Sequence, residues 1–194
     1  MEAQNIDRVS LIGHSLGGGV SLQFTIQFPD KVDKLVLVNS AGLGKEVSLL
    51  FRLPTLPIIG ELLTRPSRKG TANLLKECVH DPAVVTDELI ELGYSLAALP
   101  GAQNSFLSMV RTLGNFRGIR KDVLRSIVDN FTTITAPTLV FWGQQDRILP
   151  VAHAYVAEKR IPNARLHIFD PCGHLTQLER PEEFNSLVLE FLAG

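Results

Sequence analysis

The stretch Val9-Ser10-Leu11-Ile12-Gly13-His14-Ser15-Leu16-Gly17-Gly18-Gly19 decides how the rest of the chain is read. It begins as a short apolar run, passes through a glycine-flanked serine in the pattern G-x-S-x-G, and continues into a segment with helical spacing. Leu16, Val20, Phe24 and Phe28 recur every four residues before Pro29 ends the pattern. A strand, a sharp turn and a helix are therefore expected, with Ser15 at the turn. Such a turn projects a hydroxyl above the end of the strand. Glycines on either side remove Cβ atoms that would collide between strand and helix. Gly18 and Gly19 extend that freedom of approach.

Working outward, three further apolar runs read as strands: Leu35 to Val38, Thr138 to Trp142 and Leu166 to Phe169. The runs at Val9, Leu35 and Thr138 are nearly continuous, as in parallel strands covered on both faces. The last alternates more and is expected at or near a sheet edge. A helix is expected from Pro150 to about Arg160. Another starts at Pro181-Glu182-Glu183, with proline in the first turn and acids at the positive end of the dipole. Strand–helix alternation implies an α/β class with a parallel sheet and right-handed crossovers. Between the second and third strands the sequence changes character. Leucine-rich helical spacing at Leu74, Leu75 and Val79, at Leu89, Ile90, Leu92 and Leu96, and at Phe106, Met109, Val110 and Leu113 predicts a helical insertion. Its place suits a lid over the carboxyl end of the sheet. The expected division is residues 1–43 as core, 44–131 as helical cap, and 132–194 as core.

The chain has 194 residues, 45% hydrophobic and 20% charged, with a formal net charge of −1. That fits one globular domain, or one plus an insertion. No long basic run supports a nucleic-acid or anionic-membrane partner. The short basic stretch from Arg65 to Lys69 reads as a solvated loop. No apolar run is long enough to span a bilayer, and the first residues lack the pattern of a signal peptide. Cys78 and Cys172 are expected as free thiols in a cytoplasmic protein.

A serine hydroxyl becomes a useful nucleophile only beside a base, usually a histidine held by a carboxylate. Of the five histidines, His174 alone lies in a glycine-containing loop between a strand and a helix, on the edge of the sheet that also carries Ser15. His14 is expected to point away from the hydroxyl and to pack or hydrogen-bond locally. Asp146 leaves the third strand at the same edge and is favoured as the acid over Asp170, which would point from the base's own loop. The Leu16 N–H, at the start of a helix, is the expected oxyanion donor. The order Ser15, Asp146, His174 is that of one particular class of serine hydrolases. No cofactor or metal is suggested, since the histidines lack ligand-like spacing with other donors.

Through Gly13 to Gly18, Phe28-Pro29-Asp30-Lys31-Val32, Ala136-Pro137-Thr138 to Asp146, and Cys172-Gly173-His174 with Pro181-Glu182-Glu183-Phe184, the chain resembles the α/β-hydrolase superfamily over essentially its whole length. The tail from Ile161 looks most like the branch of meta-cleavage-product (carbon–carbon bond) hydrolases and related esterases. The resemblance implies the C-terminal part of that fold: strands five to eight in family order, helices on both faces, and a helical cap. It implies hydrolysis of an ester or activated carbonyl of an apolar small molecule through an acyl-enzyme. Two features depart from the carbon–carbon branch. Leu175 stands where many members have tryptophan. A cap arginine that would hold an acidic substrate is not identified; Arg52, Arg111 and Arg117 are the candidates. Carbon–carbon bond hydrolysis stays open as an alternative, as does a catalytically silent binding protein. Ser15 in place of an aspartate argues against dehalogenase and epoxide-hydrolase chemistry. The family's first four strands, first helix and second oxyanion donor have no counterpart here. The chain is therefore expected to be N-terminally truncated, with Met1 to Gln4 closing a helix, and to self-associate through an exposed elbow-strand edge.

Overall fold

The computed structural model describes residues 5–194, so the helix end expected at Met1 to Gln4 lies outside the described residues. Four parallel strands form one sheet in the order β1-β2-β5-β6: β1 (Val9–His14), β2 (Val32–Val38), β5 (Thr138–Gly143) and β6 (Ala164–Phe169). Residue pairs such as Ile12 with Val36, Val36 with Leu139 and Leu139 with Arg165 fix the register. As expected from its alternation, β6 lies at an edge; β1 forms the other edge among the described residues.

The period of two along the strands divides the core. Leu35, Leu37, Val140 and Trp142 face one side, where they pack with Leu22 of α1 (Leu16–Gln27) and Ala154 and Ala157 of α8 (Ala152–Arg160). Val36, Val38, Leu139 and Phe141 face the other, under Phe184 and Val188 of α10 (Pro181–Ala193). Each fully buried side chain of this size stabilises the fold by about 1.5–3 kcal/mol. Helix α10 begins at Pro181 as expected. Helix α8 starts later than expected: Val151 is its N-cap, and Pro150 lies just outside.

Helix α1 turns the expectation of its apolar face around. The side against the sheet is Gly18, Ser21, Leu22 and Thr25, whereas Leu16, Val20 and Phe28 are exposed, Val20 at 62%. The reason is proximity. A Cβ on Gly13 would meet the Gly17 carbonyl oxygen at 2.5 Å, and one on Gly18 would overlap the Ser40 side chain. Small residues are needed where helix meets strand, and the larger ones are left outside. Gly17 has open space around it and is not held to glycine by contacts; Gly19 would make only an ordinary contact with Ala41.

Between β2 and β5 run α2 (Leu49–Arg52), α3 (Ile59–Leu63), α4 (Arg68–Cys78), α5 (Asp87–Ala97), α6 (Ala102–Leu113) and α7 (Lys121–Val128). Side-chain caps start several of them: Ser67 accepts from the Gly70 N–H and Thr86 from that of Leu89. Two differences from expectation stand out. A two-residue antiparallel ladder joins β3 (Gly114–Asn115) to β4 (Gly118–Ile119), where the left-handed φ of +107° at Gly118 allows close approach to the Lys45 carbonyl. Arg68 and Lys69, read as loop, open α4, and Arg68 pairs with Asp87 at 2.9 Å and Glu91 at 3.4 Å. A short helix, α9 (Thr176–Glu179), follows the loop after β6. Among the described residues no helix is long and apolar enough to cross a membrane.

Candidate active site

Ser15 stands between β1 and α1 with φ +52° and ψ −119°. A non-glycine residue in that region is strained, and the surroundings hold it there. Its N–H donates to the Val38 carbonyl at 2.9 Å, and its own carbonyl accepts from the Ala41 N–H at 2.8 Å and the Gly18 N–H at 3.0 Å. The turn is thus fastened to the end of β2 as well as to its own helix. Leu16 begins α1, so its N–H has no partner within the helix.

Asp146 and His174 arrive from the carboxyl ends of β5 and β6. His174 Nδ1 and Asp146 Oδ2 are 2.8 Å apart, with both side chains almost wholly buried. The Asp146 carboxylate is fully engaged. Oδ1 accepts from the backbone N–H groups of Ile148 at 2.8 Å and Leu149 at 3.0 Å, and Oδ2 accepts a second bond from Asn39 Nδ2 at 2.8 Å. A carboxylate with four donors is held in one orientation. Asp170, the rival, points elsewhere: it accepts from Gln145 Nε2 at 2.7 Å on the surface. Ser15 and Leu16 line the same cavity, but among the described residues no hydrogen bond joins the Ser15 hydroxyl to His174.

Two residues escaped the sequence reading. Asn39 is completely buried at φ +45° directly after β2. Besides holding Asp146, its amide donates to the Gly173 carbonyl at 3.3 Å and accepts from the Thr176 hydroxyl at 3.3 Å. A polar residue that favours the left-handed region, placed at the carboxyl end of a buried strand, was the available signal. Glu179 is the second: its carboxylate accepts from the N–H groups of Gly173, His80 and Asp81. Its position at a helix end made it look like any solvated acid.

His14 makes both the packing and the hydrogen bond that were open to it, but with a segment distant in sequence. Its bond is not local in sequence: Nε2 lies 2.9 Å from the His174 carbonyl, and the two rings meet at 4.8 Å, tilted by 54°. Burial, and then the neighbouring His174, push the His14 pKa below its ordinary value. Both cysteines are unpaired and buried. Burial first, reinforced by Asp146 and Glu77 at Cys78 and by Glu179 at Cys172, pushes each thiol up to about 12, so neither is a nucleophile at neutral pH.

A cavity of about 110 Å³ opens at Ser15 and Leu16, walled by Val47, Phe51, Met109, Val110, Leu113 and Ile148. Beside it lies a second of about 250 Å³, which shares Leu16, Ala41, Leu113 and Ile119 and continues to Val20 and Val123. Arg52, Arg111 and Arg117 are not among the lining residues. Arg111 pairs with Glu61 at 2.8 Å instead.

Comparison with known proteins identifies the fold family. The family model for the alpha/beta hydrolase fold matches residues 1–181. The chain is 36% identical to a 2-hydroxymuconate semialdehyde hydrolase of Pseudomonas putida over 200 residues, covering 100% of this chain and 65% of that protein. It is 31% identical to a 2-hydroxy-6-oxo-6-phenylhexa-2,4-dienoate hydrolase of Burkholderia cepacia, again over its whole length and 66% of the relative. Among solved structures, a meta-cleavage product hydrolase from Pseudomonas fluorescens superposes with a TM-score of 0.80 at 30% identity, covering 100% of this chain and 67% of that one. A serine hydrolase from the hydrocarbon-degrading Cycloclasticus zankles gives 0.82 at 27% identity, covering 100% and 66%. The chain spans about two thirds of the length of these relatives, and it belongs to the α/β-hydrolase fold family.

Proposed function

We propose that the protein is a serine hydrolase of esters or activated carbonyls of uncharged, largely apolar small molecules, with Ser15 as nucleophile, His174 as base and Asp146 as acid. The observation that carries this reading is the buried His174–Asp146 hydrogen bond of 2.8 Å on the sheet edge where Ser15 meets an apolar cavity. Asp146 accepts a hydrogen bond from His174 Nδ1–H, which leaves Nε2 free to accept the Ser15 proton. The alkoxide attacks the carbonyl carbon, and the oxyanion receives the Leu16 N–H and the positive end of α1. His174 returns the proton to the leaving group. Water, activated by the same imidazole, then releases the acid from Ser15.

The cavity argues for the substrate class. An apolar cavity of about 150 Å³ holds a benzene ring, so about 110 Å³ at Ser15 with about 250 Å³ beside it suits an aryl or medium-chain group. No cofactor enters this reading. A reducing, cytoplasmic setting suits the two unpaired thiols. The test is a series of p-nitrophenyl esters. Butyrate to octanoate and aryl esters should exceed acetate in kcat/KM, and esters with a carboxylate on the acyl chain should be poor. Preference for the charged substrates would instead support carbon–carbon bond hydrolysis of an acidic dienone. That second reading rests on the 36% identity to the 2-hydroxymuconate semialdehyde hydrolase. Against it stand Leu175 after the base and the engagement of Arg111 with Glu61.

A further inference from the structure

The loop that carries His174 is fastened to the helical segment above the sheet, and one side chain makes the fastening. Glu179 ends α9. Its Oε1 accepts from the Gly173 N–H at 2.7 Å, next to the base. Its Oε2 accepts from the N–H groups of His80 at 2.7 Å and Asp81 at 3.0 Å, just past α4. The His174 N–H donates to the Cys78 carbonyl at 2.7 Å. Gly173 presses so closely on this stretch that a Cβ there would lie 2.7 to 2.9 Å from His80 N, Val79 C and Cys78 O. The two backbones therefore lie back to back, with one carboxylate bridging them.

We infer that Glu179 is a positioning residue: it locks the base loop to the segment from Cys78 to Asp81, so that His174 keeps its alignment with Asp146 and Ser15. The inference rests on the catalytic reading above. Three N–H groups converge on two oxygens of one charged group, and bonds to a charged acceptor are the stronger ones. An amide cannot replace it. Glutamine has one acceptor oxygen, so its NH₂ would face either Gly173 or the His80–Asp81 pair, donor against donor. Loss of either half loosens the base loop, which is then held to the lid by the His174–Cys78 bond and what remains of the bridge, and displacement of a catalytic group by about 1 Å is enough to cost about 100-fold in rate.

The experiment compares Glu179→Gln, Glu179→Asp and the distant Glu190→Gln with the parent. It reads ester kcat and KM, the rate of fluorophosphonate labelling at Ser15, and the low-field proton resonance of His174 Nδ1–H. Glu179→Gln should lower kcat and the labelling rate together by about 10–100-fold, leave KM within about threefold, and broaden or shift the resonance. Glu179→Asp keeps the charge but is one methylene short, so it reaches one side only and should fall between. Glu190→Gln should match the parent. Full kcat and an unchanged resonance in Glu179→Gln would overturn the inference. So would a loss of kcat equal to the loss of folded protein, with a normal resonance in the folded fraction. If Glu179→Gln does not fold, Glu179→Asp is judged by the same two criteria. The resonance keeps the two proposals apart. A parent without turnover or labelling whose resonance nonetheless depends on Glu179 would sink the catalytic reading and leave the positioning role standing.

Discussion

Replacing Asp146 by asparagine should disable the protein while hardly altering its shape, and the structure says how. The two backbone donors Ile148 and Leu149 select the amide oxygen for the Oδ1 position. The new NH₂ then occupies the Oδ2 position, where His174 Nδ1 and Asn39 Nδ2 both now donate. Two donors cannot face a third. Asn39 can answer by flipping its amide, but its oxygen would then oppose the Gly173 carbonyl that its NH₂ now contacts at 3.3 Å. His174 can answer only by moving its proton from Nδ1 to Nε2. That tautomer points a proton, not a lone pair, at the Ser15 hydroxyl. The base is lost, and so is the charge that stabilises the imidazolium. The comparable change in a well-studied triad lowers kcat by about 10⁴, so a fall of about 10³–10⁴ is expected here in ester kcat and in the labelling rate of Ser15. Asp170→Asn serves as the comparison. Because Asp170 is bound to Gln145 on the surface, it should retain rates within about threefold. Asp146→Asn at a tenth or more of the parent rate, or a larger loss from Asp170→Asn, would refute the reasoning.

Further outcomes follow from the same geometry. His14 holds its proton less firmly in the folded protein than its ordinary value of about 6.5. The unfolded chain thus binds the extra proton first as pH falls. Stability should be greatest above about pH 6.5 and decline through the window down to the lowered folded value. Melting temperatures from pH 5 to 8 should show this slope, and His14→Gln should flatten it; an equal slope in the variant would remove His14 as the cause. Among the described residues strand β1 presents an edge, with Ile12, which pairs with Val36 on the α10 face, 51% exposed. We expect residues 1–194 to self-associate along it. Sedimentation should show oligomers that Ile12→Lys reduces, whereas a parent chain that stays monomeric at high concentration would dismiss the edge as a contact.

What was legible in the sequence depended on whether a residue acts through its own segment. Ser15, Asp146 and His174 each lie in the turn or loop that follows a strand, so apolar runs and their flanking turns were enough to place them beyond the carboxyl ends of β1, β5 and β6. The strand starts were harder. β2 begins at Val32 rather than Leu35 because Asp33 and Lys34 are part of it, with Asp33 exposed beyond the covered face. Spacing located the helices between β2 and β5, but not their buried sides: Leu92 and Leu96 fit the pattern yet are 57% and 56% exposed, while Ile90 just before them is buried. Helix α1 misled in the same way, since the demand for close approach at Gly13 and Gly18 outweighed its apolar stripe. Asn39, Glu179 and His14 lay beyond reach. Their partners are 107, 99 and 160 residues away, and nothing in a local pattern marks which distant backbone will come within 3 Å.

The central claim is that Ser15 is a nucleophile activated by His174 and Asp146. Its most direct test is a fluorophosphonate probe followed by peptide mass spectrometry. The account predicts one covalent adduct, on the peptide that contains Ser15, absent in Ser15→Ala and nearly absent in His174→Ala. A folded protein that takes up no probe, or takes it up equally after Ser15→Ala, would contradict it.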